Sequence, residues 1–205
     1  MKYITTELKT SRSEGLTDGI FAIAMTILVL SFEGVLEHPV VMNEKQLLDT
    51  IFGLLPDLLH YIESFMLLGV FWFLHHQQFH YIEKTDAALV FINILGLMFI
   101  GLVPFTTVMV GDYGQLHPAA VLFEINLLLA GIMFSVHWAY ATKNKYLVEK
   151  NLDPAIIKYY MVRNMVIPVV ALCSIGISFL NPRISIVLLF VVPIILILFR
   201  RKKMV

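Results

Sequence analysis

The stretch Arg12 to Glu37, RSEGLTDGIFAIAMTILVLSFEGVLE, decides how the rest of the chain is read. An arginine and a Thr17-Asp18-Gly19 step lead into an apolar run, Ile20 to Phe32, that carries no charge and ends at the carboxylates Glu33 and Glu37. With its flanks the run is long enough to cross a hydrocarbon core of about 30 Å at about 1.5 Å per residue. It reads as a first membrane span with polar chemistry at its head.

The remainder of the chain agrees. Among 205 residues, 59% are hydrophobic and 15% charged, and the mean hydropathy is +0.81, which leaves too little polar surface for a water-soluble domain. A net charge of zero gives no basis for nucleic-acid binding. The lone Cys173 lies in an apolar run and excludes a disulfide framework within one chain. The opening MKYITTELKTSRSEG is polar, and no cleavage site follows Phe32, so the first span is expected to be retained.

Spans of about 20 residues fit roughly at 16–36, 51–74, 87–110, 118–140, 157–180 and 184–199. Between them lie Glu37-His38-Pro39 and Asn43-Glu44-Lys45, then His80 to Asp86, Gly111 to Pro118, Thr142 to Pro154 and Asn181-Pro182-Arg183, all with loop chemistry. The expectation is an all-α polytopic membrane protein with six transmembrane helices, forming a single domain over residues 1–205. No internal repeat is visible, which argues against an inverted-repeat transporter. Lys2, Lys9, Arg12, Lys84, Lys143, Lys145, Lys150, Lys158 and Arg200 to Lys203 fall on the side of the termini, against Lys45 and Arg183 on the other. That asymmetry predicts cytoplasmic termini.

Intramembrane polar residues form two layers. The inner one holds Thr17, Asp18, His75 and His76 at the end of helix 2, Asn93, His137, Arg163 and Asn164; the outer one holds Asp57, His60, Glu63 and Glu124. A charge in hydrocarbon costs about 2.5 to 3.5 kcal/mol on insertion scales, so these groups face protein or water. Their ordinary role is hydrogen bonding between helices. In FWFLHHQQFH, His76 and His80 share a helix face, and with His137 they allow a competing reading as a membrane haem or metal enzyme. The ligand set is sparse, so no metal and no cofactor are expected. A second competitor is a proton-coupled transporter using Glu63 and Glu124. Trp72, Phe73, Trp138 and Tyr140 read as interfacial belt residues.

Within helix 1, Ile23, Ile27, Leu30 and Gly34 recur at i, i+4, i+7 and i+11, beside a small face of Gly15, Gly19, Ala22 and Thr26. Several copies around an axis would make rings of branched carbons, a constriction that gates by dewetting. An apolar stripe in a membrane helix is usually a lipid-facing or core surface, so periodicity alone does not make a channel. The chain contains no TVGYG-like filter and no arginine-rich voltage sensor.

Arg12-x-x-x-Leu16-Thr17-Asp18-Gly19, with Ile20 to Leu30 after it, resembles the Arg-x-x-x-Phe-Ser-Asp motif and first helix of the endolysosomal potassium channel family, and especially its prokaryotic members with one six-helix unit per chain. WFLHHQQF from Trp72 to Phe79, and the segment from Asn93 to Thr107 that ends LVPFT, are also similar to that family. The resemblance implies a homotetramer in a prokaryotic cytoplasmic membrane, in contact with membrane lipids. It would pass potassium and other monovalent cations with weak potassium preference, without covalent chemistry. First helices would line the pore, with the constriction at Ile23, Ile27 and Leu30, and Thr26 matches a threonine linked to potassium preference. Leu16-Thr17 departs from the family's Phe-Ser pair. Asp18 suits the positive helix terminus, and Arg12, Leu16, Thr17, Asp18, His76 and Asn93 are assigned to a scaffold holding the pore helix. Glu33 and Glu37 would concentrate cations at the outer mouth.

Overall fold

A computed structural model describes residues 10–35, 43–143 and 145–198. Helix α1 runs Thr10–Ile27 and tightens into a 3-10 stretch, Leu28–Val35; α2 is Glu44–Gly53, α3 Leu55–Phe79, α4 Ala87–Tyr113 and α5 His117–Lys143. The C-terminal part consists of α6 Pro154–Asn164, α7 Val166–Ser178, α8 Pro182–Leu188 and α9 Val191–Leu198. Five continuous segments are long and apolar enough to cross a membrane: Thr10–Phe32, Leu55–Phe79, Ala87–Tyr113, His117–Lys143 and Pro154–Ser178. The sixth expected span is the shorter apolar pair α8 and α9, Pro182–Leu198.

Local chemistry moves several expected boundaries. Asn43-Glu44-Lys45 is a helix start rather than a plain separator, because the Asn43 side chain accepts from Gln46 N–H while the Gln46 side chain accepts from Asn43 N–H. This begins the short, exposed α2, which ends at Leu54 before Pro56 opens α3. At its other end α3 continues past residue 74 to Phe79, so His75 and Gln78 lie inside the helix and are buried. Asp153 caps α6 by accepting from Ala155 N–H at 2.8 Å. The break after Asn164 follows from Pro168, which has no N–H to give to the Asn164 carbonyl.

Pro104 sits within α4 without ending it. Just beyond it, the Thr106 hydroxyl donates to Val103 O at 3.0 Å and the Thr107 hydroxyl to Val103 O at 2.8 Å, and Thr107 also reaches Ser64 Oγ on α3 at 2.7 Å. The carbonyl that Pro104 leaves without a helical N–H is that of Ile100, four residues earlier; the threonine hydroxyls instead pair with Val103 O and across to α3.

The core joins α1, α3, α4, α5, α7, α8 and α9. Phe134 of α5 is its aromatic hub, with ring centroids 6.3 Å from Phe21, 5.4 Å from Phe71 and 5.1 Å from His75. Trp138 is fully buried and donates to Ile157 O at 3.0 Å. Its place is in the core, not in an interfacial belt. At the lysine-bearing end, the loops after α3 and α5 pair through an antiparallel bridge between Ile82 and Val148. Asp86 caps α4 there, accepting from Leu89 N–H and from the hydroxyls of Tyr140 and Tyr146. Partial burial pushes its carboxyl up, but these hydrogen bonds outweigh that and hold it below the usual carboxylate range.

Helices α5 and α7 touch closely at Gly131, where a Cβ would lie 2.7 Å from Pro168 Cδ and 2.8 Å from Cγ. A proline ring cannot swing away, so Gly131→Ala should cost about 1 to 3 kcal/mol as overpacking and lower the apparent Tm in detergent. At Gly96 the nearest atom to a new Cβ is Met133 Cβ at 3.5 Å, an ordinary contact. Gly96→Ala should leave the melting curve within error of the parent.

Candidate permeation site

Rotation of α1 within the bundle determines what it can present. Phe21 and Leu28 are 1% and 0% exposed, whereas Ile23, Ile27 and Leu30 are 56%, 43% and 56% exposed. The helix therefore buries one face against α3 and α4 and leaves the predicted stripe exposed among the described residues. The transition to 3-10 geometry after Ile27 matters here, because residues three apart eclipse in such a helix. It aligns Leu30 with Ile27 more closely than an α-helix would. Thr26 stands beside the stripe, and its hydroxyl donates back to Ile23 O at 2.8 Å. A Cβ added at Gly15 or Gly19 would meet nothing within 4 Å, so the small face is also open.

Two hydrogen-bonded sets fix the head of α1. In the first, Asn93 Nδ2 on α4 donates to Thr17 Oγ1 at 3.1 Å, and Asn93 Oδ1 lies 2.9 Å from His75 Nε2 on α3. A carbonyl oxygen only accepts, so Nε2 carries the proton. All three side chains are buried. The second set is at the surface: the Trp72 indole N–H donates to Asp18 Oδ1 at 2.9 Å, and the His76 ring stacks on Trp72 at 5.4 Å.

Of the expected scaffold, the structure thus joins Thr17 and Asn93 directly and adds His75 on the far side of the Asn93 amide, with His76 one step removed behind Trp72. Trp72, read as a belt residue, is the direct partner of Asp18. Leu16 and Arg12 are exposed, and Arg12 makes no hydrogen bond or ion pair among the described residues. The sequence signal that separates His75 from His76 is helix phase: once α3 runs through to Phe79, His75 follows Leu68 and Phe71 on the buried face.

His80, His117 and His137 pack against aromatic rings. His137 stacks on His75 at 5.4 Å and donates from Nδ1 to Gln78 Oε1 at 3.2 Å. No three His, Cys, Asp or Glu side chains among the described residues are grouped to hold a metal ion. In the outer layer Glu63 is buried with His60 Nδ1 3.9 Å away, and Glu124 is buried on α5.

At the outer end of the stripe, Ile27, Leu30, Ser31 and Phe32 line a cleft of about 560 Å³ together with Asp57 of α3 and Asp112 of α4. Both carboxylates were visible in the sequence, but nothing there placed them beside the stripe. Glu37 lies outside the described residues, and so does the side chain of Glu33.

Comparison with known proteins shows the family. Residues 12–104 match the model of the endosomal/lysosomal potassium channel TMEM175 family. A potassium channel of Chamaesiphon minutus is 32% identical over 194 residues, covering 91% of this chain and 92% of that one. Another, of Streptomyces collinus, is 30% identical over 149 residues, 71% and 70% of the two chains. The crystal structure of a lysosomal potassium-selective channel TMEM175 homolog from Chamaesiphon minutus superposes with a TM-score of 0.76 at 28% identity, over 92% of this chain and 96% of that one. The chain belongs to the TMEM175 family of multi-pass membrane channels, which is not a family of enzymes.

Proposed function

We propose that this chain is one subunit of a potassium-permeable channel with modest potassium preference, in which α1 from each of four copies lines a central pore. The observation that carries the reading is the two-sided α1: a buried face that fixes its rotation, and an apolar stripe with a small face beside it that is left exposed among the described residues. Relatives named as potassium channels favour that cation over others. The whole of residues 1–205 serves as one six-span domain, counting Pro182–Leu198 as the sixth span, with both termini in the cytoplasm of a prokaryotic cell. The lysines at the Ile82–Val148 end support that orientation.

In this reading Ile23, Ile27 and Leu30 form successive apolar rings, and conduction requires that water wet them. Thr26, whose hydroxyl is turned to its own helix carbonyl, keeps the ring beside it narrow without projecting a charge. Thr17, Asp18, Asn93, His75 and Trp72 hold the helix, with Leu16, Arg12 and His76 at the periphery of that support. Asp57 and Asp112 join Glu33 and Glu37 as carboxylates that draw cations to the outer mouth.

Potassium flux into proteoliposomes tests the whole reading: the purified chain should pass potassium down its gradient whether or not a proton gradient is present. A strict requirement for the proton gradient would favour transport through Glu63 and Glu124 instead. Ile27→Asn should raise the flux, because a polar ring retains water; lowering the barrier by about 1.4 kcal/mol gives about tenfold. Ile23→Asn and Leu30→Asn should act in the same direction and relax ion preference. If all three conduct like the parent, these rings are not the constriction.

The scaffold should respond differently. Asn93→Ala leaves the Thr17 hydroxyl and the His75 N–H without their partner, a loss on the order of 1 to 3 kcal/mol, read as a lower Tm with ion preference kept. Asp18→Ala and Trp72→Phe should each weaken assembly, and the double variant should lose less than the sum of the two. At the mouth, a carboxylate about 8 Å from a cation in water contributes about 0.5 kcal/mol, or about a twofold change in local concentration. Asp57→Asn and Asp112→Asn should therefore each reduce single-channel current about twofold near 10 mM salt and leave it unchanged near 1 M, where screening is complete within about 3 Å.

A further inference from the structure

Arg163 at the end of α6 is 6% exposed, and no carboxylate among the described residues pairs with it. Its Nη1 donates to Gln77 Oε1 at 2.7 Å, its guanidinium lies 5.8 Å from the Phe73 ring centre and 5.5 Å from that of Tyr159, and its Nε has no acceptor. A guanidinium stays charged at any physiological pH. Burying it costs several kcal/mol, and one neutral amide and two ring faces do not replace a counter-anion.

Arg163 forms part of the wall of a groove of about 770 Å³ between α3, α6 and α9. The groove is amphipathic along its length. Arg163, Gln77 and Tyr159 line it along with an apolar face of α3 that continues from Gln77 through Phe73 and Val70 to Met66, with Leu196 and Ile197 of α9 also lining it. Gln77 to Met66 spans 11 residues of helix, about 16 Å. That is about half the thickness of a hydrocarbon core. Beyond Leu198 the sequence continues Phe199-Arg200-Arg201-Lys202-Lys203, a basic cluster of the kind that draws anionic lipid to a membrane helix.

We propose that this groove is a binding site for an anionic phospholipid, with the headgroup phosphate on Arg163 and Gln77 and one acyl chain along Val70, Met66 and Leu196. The phosphate supplies the missing counter-charge beside the guanidinium, and the chain fills the apolar length. Inorganic phosphate offers the same acceptor but nothing for the apolar walls, so the two sources separate on Val70. The site does not depend on the permeation path, since its residues lie on other helices than α1.

The test is native mass spectrometry of the full-length protein in mild detergent, titrated with phosphatidylglycerol, phosphatidylcholine or inorganic phosphate. Phosphatidylglycerol should be retained about tenfold better than phosphatidylcholine: both carry the phosphate, but the choline ammonium cancels its net charge beside a guanidinium that lacks a counter-anion, and tenfold corresponds to about 1.4 kcal/mol. Arg163→Gln should remove that preference, and Arg163→Lys should restore most of it. Val70→Trp, which keeps Arg163 and Gln77 but fills the apolar groove, should weaken phosphatidylglycerol retention and provides the test if Arg163→Gln does not fold. Equal retention of the two lipids, or unchanged phosphatidylglycerol binding in Arg163→Gln and Val70→Trp, would overturn the proposal. So would displacement of the lipid by millimolar inorganic phosphate, which would mark a soluble-anion site. Efficient disulfide crosslinking between subunits from a cysteine at position 70 would also overturn it, by showing that protein covers the groove.

Discussion

Asn93 is the constraint on which the rest of the structure depends. Its amide bridges Thr17 on α1 and His75 on α3 from a position on α4, so three helices share one buried polar contact. Between membrane helices there is little hydrophobic drive to choose one rotation over another, because lipid is as apolar as leucine. A buried amide with a fixed donor and a fixed acceptor does choose, since turning α1 by one residue would carry Thr17 out of reach and leave polar groups unpaired in an apolar setting. Phe21, Ala24 and Leu28 then face inward as a consequence, and Ile23, Ile27 and Leu30 are left outside.

Packing elsewhere serves the same end. Thr107, just past the proline in α4, ties α4 to α3 through Ser64. Gly131 lets α7 come close enough to α5 for the C-terminal helices to join the core. Above the buried contact, Trp72 meets Asp18 with a charge-assisted hydrogen bond at the exposed edge. Thr17, Asn93 and His75, with Asp18 and Trp72, thus orient α1, which bears the least buried of the five long segments. An apolar helix face with no partner in its own chain is what an assembly of several copies uses.

Much of this was legible in the residues. The five long spans, the position of the first one and the residues of its stripe follow from hydropathy and helical spacing, and the Arg12-to-Asp18 motif pointed to the family. Single-residue distinctions were less accessible. His75 and His76 are adjacent and chemically identical, so only the phase of a helix that continues to Phe79 shows which one is buried. Trp72 and Trp138 both suit an interface by composition; one instead caps the α1 carboxylate and the other is core, because tertiary contacts rather than residue type decide. Asp57 and Asp112 are 55 positions apart, and only the packing of α3 against α4 sets both beside Leu30. Helix α2 was hidden because its capping box looks like ordinary loop polarity until the hydrogen bonds are seen.

If one face of α1 meets the permeating ions, that face can be mapped by cysteine scanning along this helix in a Cys173→Ser background, with block of potassium current by silver ion as the readout. Block is expected at positions 23, 27 and 30, with none at 21, 24 and 28, repeating the pattern of exposure in the bundle. Block at the second set, or indifference at the first, would mean that α1 does not present this face to the pore.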